Sequence, residues 1–256
     1  MKWMLSPRHL ARIGVAAALW ASAAQPAFAD AGSAQLAGYD GTLGQTKISL
    51  YLLLDNGKVS GGHYFYNKYL KDIPLKVQAG AQPGEVLLQE DHGAFHLKLV
   101  GPADAPQPLD FDHSNGLRGE WTDGKKTLPV QLSGASGGQA PQPDHWYGMI
   151  SDETDAVFEA RVQGFYFAVL KGDAAAAARY VSFPLRVNFS ANQHVMIKDA
   201  KALKAQWQKV FTPNYLAALR DAPPHELAVV KSQYAMLGQG LAYFTGHGAA
   251  VLNTAP

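Results

Sequence analysis

The feature that most constrains this chain is a pair of alternating segments joined by a two-residue turn. Lys47-Ile-Ser-Leu-Tyr-Leu-Leu-Leu54 places Ile48, Leu50, Leu52 and Leu54 on one face, the period-two pattern of a half-buried strand. Asp55-Asn-Gly57 supplies the turn and Lys58–Tyr66 the partner strand, so the two segments predict a hairpin. Further short strands are predicted at Ile73–Ala79, Glu85–Glu90, Ala94–Leu99, Leu117–Trp121 and Thr127–Leu132, with turns at Asp91-His-Gly93, Ser114-Asn-Gly116 and Asp123-Gly124. A hairpin buries too little on its own. Many short strands with glycine turns predict an all-β antiparallel domain over residues 30–132, closed into a barrel or folded as a sandwich.

The pattern changes after that. Ser133-Gly-Ala-Ser-Gly-Gly-Gln-Ala-Pro-Gln-Pro143 has no periodic apolar residues and is rich in Gly, Ser and Pro, so residues 133–150 read as a linker. From Asp155, the residues Phe158, Val162, Phe165, Tyr166 and Val169 form the stripe of an amphipathic helix ending at Gly172. Asp173 can cap a second helix running to Tyr180. A strand is expected over Phe183–Phe189, then a third helix from Asp199 with a break or kink near Pro213. The end of the chain, with apolar segments at Leu227–Val230, Tyr234–Leu237, Leu241–Phe244 and Ala249–Leu252, predicts a strand meander. Helices first and strands last give an α+β second domain over residues 151–256.

The phrases Phe165-Tyr-Phe-Ala-Val-Leu-Lys-Gly-Asp173, Phe183-Pro-Leu-Arg-Val-Asn188, Phe211-Thr-Pro213 and Leu237-Gly-Gln-Gly240 resemble the NTF2-like (cystatin-like α+β) domains of exported bacterial proteins. The resemblance covers about 90 residues, from Phe165 to Asn253. It implies helices packed into the concave face of a curved sheet, forming a cone with an open mouth. It also admits a homodimer through the convex face. The superfamily includes isomerases, hydrolases, carriers and interaction modules, so the resemblance chooses no activity.

Where the protein works is suggested by its first residues. Lys2, Arg8 and Arg12 precede an apolar run from Ile13 to Ala24, and Ala27-Phe-Ala29 stands before Asp30. This is the order of a cleavable signal peptide over residues 1–29, which predicts an exported, periplasmic protein that is soluble after cleavage. Removing that segment takes three of the 22 basic side chains and leaves all 21 acidic ones, for a mature charge of about −2. Such a balance offers no footprint for nucleic acid. The chain has no cysteine, so it must hold together by its core, without the disulfides open to exported proteins.

Catalytic signals are sparse. Gly134-Ala-Ser-Gly-Gly138 satisfies the G-x-S-x-G pattern, but a nucleophilic serine there needs a helix to follow, and Pro141 and Pro143 follow instead. His92 and His96 fall on one strand face, with His63 and Asp91 as conceivable companions, yet no compact ligand spacing supports a metal. Gly238-Gln-Gly240 lacks the third glycine of a dinucleotide fingerprint. No motif calls for a cofactor, and no catalytic group is assigned.

Candidate ligand-binding residues follow from the cone that the resemblance implies: Tyr166, Arg186, Asn188, Trp207 and Tyr243. Arg186 could clamp an anion, although Leu185 and Val187 on the opposite face favour a solvent position. Asp173, Asp199, Asp221 and Glu226 sit at element ends, and none reads as a buried base. The sequence points to a non-catalytic periplasmic binding protein that recognises a protein or cell-envelope component, such as an immunity or inhibitor protein acting on a cell-envelope enzyme. The alternative is a carrier or enzyme using the cavity of the second domain, a reading that packing of Phe165, Trp207 and Phe211 into that cone would remove.

Overall fold

Eight short strands solve their edge problem by closing on themselves. The computed structural model describes residues 35–141 and 145–254, and the predicted signal segment lies outside them. The first eight strands are β1 (Gln35–Leu43), β2 (Thr46–Asp55), β3 (Lys58–Tyr66), β4 (Ile73–Val77), β5 (Glu85–Gln89), β6 (Ala94–Val100), β7 (Gly116–Thr122) and β8 (Thr127–Gln139). Each pairs with its sequence neighbour, and β8 returns to β1, giving a closed antiparallel barrel. Closure leaves no unpaired edge to seed aggregation.

The predicted hairpin sets the register. Asn56 (φ 49°) and Gly57 (φ 73°) both take left-handed backbone, as the two central residues of a type I′ turn must, and Asp55 pairs with Lys58 across them. Leu50 then faces Tyr64 and Tyr51 faces His63. Ile48, Leu50, Leu52 and Leu54 all enter the barrel core, joined by Tyr39, Tyr64, Leu88 and Phe95. An eight-stranded barrel has an interior that side chains can fill, and here large apolar ones occupy it.

Two features of the barrel differ from the sequence expectation. Strand β1 was not anticipated, because Gly38 and Gly41 break its alternation. The segment expected to begin the linker instead extends β8 as far as Gln139, where it pairs with Gln35. That backbone supplies hydrogen bonds to β1, which a strand lacking large side chains can do as well as any other. The G-x-S-x-G serine therefore lies on a strand, and the next helix begins only at Asp155.

After the barrel come α1 (Asp155–Leu170), α2 (Ala174–Ala178), β9 (Val181–Ser190), β10 (Gln193–Ile197), α3 (Ala200–Ala205), α4 (Trp207–Val210), α5 (Pro213–Arg220), β11 (Ala228–Val230), β12 (Tyr234–Leu237), β13 (Ala242–Thr245) and β14 (Gly248–Asn253). The sheet order is β10-β9-β14-β13-β12-β11, with β14 parallel to β9 and every other pair antiparallel. The fold is therefore α+β, a closed barrel followed by a smaller sheet and a few helices. The predicted stripe of α1 is buried along its length. Asp173, Asp199 and Thr212 cap α2, α3 and α5 by accepting from backbone N–H groups three residues on. Pro213 does not kink a long helix but opens α5, where its missing N–H costs nothing. β10 was missed because its outward side chains leave little apolar pattern to see.

Gly41 and Gly119 mark the two tightest approaches in the barrel wall. A Cβ on Gly41 would lie 2.0 Å from the carbonyl oxygen of Gln131 on β8, a backbone atom that cannot turn aside. Gly41→Ala is expected to lower unfolding free energy by about 1–3 kcal/mol, the usual cost of overpacking. Urea denaturation checks this.

Candidate functional site

The five candidates read from the sequence do not converge. Arg186 is exposed on the face of β9 opposite the core residues Leu185 and Val187. Its Nε donates to Asn188 Oδ1 (2.8 Å), and Asn188 Nδ2 donates to Asn253 Oδ1 (2.7 Å). Tyr243 lies on the same outer face, separated from Arg186 by Val251, and packs edge-on against Tyr234. Tyr166 sits in the core on α1, and the Trp207 ring packs tilted against Phe211 at 4.3 Å. Two of these groups lie on the core side and three on the outside. Between the helices and the sheet, Phe165, Phe211 and Phe244 pack ring against ring and are essentially inaccessible.

The titratable groups gather elsewhere, at the seam between barrel and second sheet, which belong to one compact unit. Tyr64 points into the barrel, so its neighbours His63 and Phe65 must point out. An outward face normally meets water, yet Phe65 is fully buried. What covers it is His225, whose ring meets Phe65 edge-on at 4.6 Å. Trp146 packs edge-on against Tyr51, and Tyr51 stacks on His63 at 5.5 Å. Three aromatic side chains on the outer wall of β2 and β3 thus form a floor for the second lobe.

Polar groups complete the seam. His63 Nε2 lies 2.5 Å from Glu226 Oε2. Both ring nitrogens of His225 face carboxylates, Nδ1 at 2.5 Å from Glu159 Oε2 and Nε2 at 2.9 Å from Asp72 Oδ1. Glu159, on α1, also accepts at Oε1 from the Tyr147 hydroxyl (3.0 Å) and the Glu226 N–H (2.8 Å). The Tyr147 hydroxyl accepts in turn from the Leu227 N–H (2.9 Å), and Tyr51 donates to the Glu226 carbonyl (3.2 Å). Glu226 holds a left-handed backbone (φ 48°), uncommon for a residue with a side chain.

These partners move the titrations. Burial opposes charge on His225, but Asp72 and Glu159 outweigh it and push the ring up to about 10, so it stays a cation at neutral pH. Burial also opposes charge on His63, and Glu226 overcomes it to hold the ring above its usual value. Glu226 is itself raised, by burial against the pull of His63. The two groups together grip one proton more firmly than either would alone. Asp72 moves the other way, since His225 offsets burial and holds it below the ordinary carboxylate range.

The seam can therefore fix charges in a poorly hydrated place. Among the described side chains hydrogen-bonded within this cluster there is no serine, threonine or cysteine to act as a nucleophile. Sequence reasoning placed His63 beside His92 and His96, but both of those are exposed on the barrel and His96 faces Glu85 instead. It placed Glu226 at a strand boundary and did not single out His225, Asp72 or Glu159. One signal was available in Tyr64-Phe-Tyr66, three consecutive aromatics that strict alternation cannot bury on a single face.

No protein-family model, curated protein or solved structure matches this chain.

Removing His225 tests the seam. His225→Ala leaves two carboxylates without their cation, a loss that costs about 3–5 kcal/mol in a buried pair. Asp72 is partly open to solvent, so the low end is expected. The fall in urea midpoint at neutral pH measures it.

Proposed function

We propose that this chain is an exported bacterial protein of the periplasm that works by binding through its surface, recognising another protein or a component of the cell envelope. The observation that carries this reading is that side chains fill both interiors. Large apolar groups occupy the barrel, and Phe165, Trp207 and Phe211 pack together where a carrier or enzyme would need its cavity. A ligand must then be met from outside.

The open site best suited to that is a groove of about 440 Å³ beside the second sheet, bordered by Met149, Ile150, Asp152, Ser232, Tyr234 and Thr245. Met149 is 63 % exposed at its rim. A mixed apolar and polar lining with an exposed methionine suits an adaptable contact with a protein. The second lobe is read as NTF2-like. Its support is the order of elements, a long helix and then strands, helices and a terminal meander around one core. Export is supported by the order of charged, apolar and small residues before Asp30. No described helix is long and apolar enough to cross a membrane.

A photo-crosslinking amino acid at Met149 is expected to give a discrete adduct in intact cells, and the same group at Lys125, on a barrel turn, is expected to give none. Tyr234→Ala should reduce the Met149 adduct at least about tenfold, as loss of an interface aromatic commonly does. Equal labelling at both positions would remove the groove from the reading. A secreted product whose first residue is Asp30 would support export, and a cytoplasmic full-length chain would refute it.

A further inference from the structure

We propose that the seam between the barrel and the second lobe is a binding site for one divalent transition-metal ion of the zinc class, with His63, Asp72 and Glu226 as its ligands. A ligand nitrogen of His63 and one carboxylate oxygen each from Asp72 and Glu226 lie within 4.8 Å of one another. Tetrahedral ligands about 2.0–2.2 Å from a common zinc ion lie about 3.3–3.6 Å apart, so side-chain shifts of up to about 1.5 Å in the widest separation bring all three into reach. The one gap that must widen is His63 to Glu226, now 2.5 Å, where the ion takes the place of the proton. Imidazole with two carboxylates is a donor set for zinc and its neighbours rather than for calcium, which takes oxygen ligands alone.

Three further observations support this assignment. The ligands come with the supporting contacts that metal sites use: Tyr51 stacks on His63, His225 bonds Asp72, and Glu159 holds both His225 and the backbone N–H of Glu226. The three carboxylates outnumber the two imidazoles, so one negative charge remains even with both rings charged. Among the described residues no lysine or arginine pairs with Asp72, Glu159 or Glu226. Finally, the ligands straddle the seam: His63 on β3 and Asp72 just before β4 belong to the barrel, and Glu226 precedes β11 in the second lobe. An ion there joins the lobes directly.

The site stands apart from the groove, so the crosslinking experiment neither supports nor weakens it. The test uses the full mature chain, stripped with a chelator and dialysed, then titrated with zinc by calorimetry and with cobalt by visible absorption. One ion per chain is expected, with a raised Tm. His63→Gln and Asp72→Asn should each weaken zinc binding at least tenfold, and the partly exposed Asp72 makes the second change the milder one for folding. The double variant H92A/H96A, which alters exposed histidines, should bind as the parent does. Absence of stoichiometric binding by the parent chain would overturn the assignment. So would binding that survives His63→Gln and Asp72→Asn but is lost in H92A/H96A.

Discussion

One carboxylate organises the seam. Glu159 projects from α1 and accepts from a hydroxyl, a backbone N–H and an imidazole, leaving little of its hydrogen-bonding capacity to water. A buried carboxylate without such partners would be costly enough to expel itself or take up a proton. With them it fixes Tyr147, the backbone at Glu226 and the ring of His225 at once. His225 then carries the constraint across to Asp72 on the barrel. The lobes are held in register by groups that can each be satisfied only in this arrangement, which specifies an orientation more sharply than apolar contact does.

Burial by alternation explains what the sequence made legible. Ile48, Leu50, Leu52 and Leu54 could be assigned to a core because a strand sends every second residue to one side, and Asn56-Gly57 could be assigned to a turn because it needs left-handed backbone. The stripe on α1 and the terminal meander were readable for the same reason. β1 was not, since Gly38 and Gly41 interrupt its alternation, and Gly41 lets backbones approach rather than filling a core. The glycine-rich end of β8 was hidden by the same economy of side chains. Both belong to barrel closure, a pairing between chain segments far apart in sequence, which local patterns cannot report.

The seam was hidden by a different cause. His63, Asp72, Glu159 and His225 come from four separate segments, and each taken alone looks like an ordinary surface residue. Only the fold brings them within a few ångströms. Arg186 shows the converse: its neighbours Leu185 and Val187 had already indicated the outer face, and there it pairs with Asn188. The resemblance that suggested a ligand-lined cone drew attention to residues of one lobe, whereas the hydrogen-bonded cluster of His63, Asp72, Glu159, His225 and Glu226 lies between two.

Barrel closure has a consequence for how the chain is made. Leu43 pairs with Val130 and Gln35 with Gln139, so the first strand waits for the last through roughly a hundred residues of synthesis. Until then β1 has only β2 beside it, at the open edge of the meander that runs on through β7. The N-terminal strands therefore form an open sheet until synthesis has passed residue 139. That wait ends when the glycine-rich tail of β8 emerges to seal the barrel.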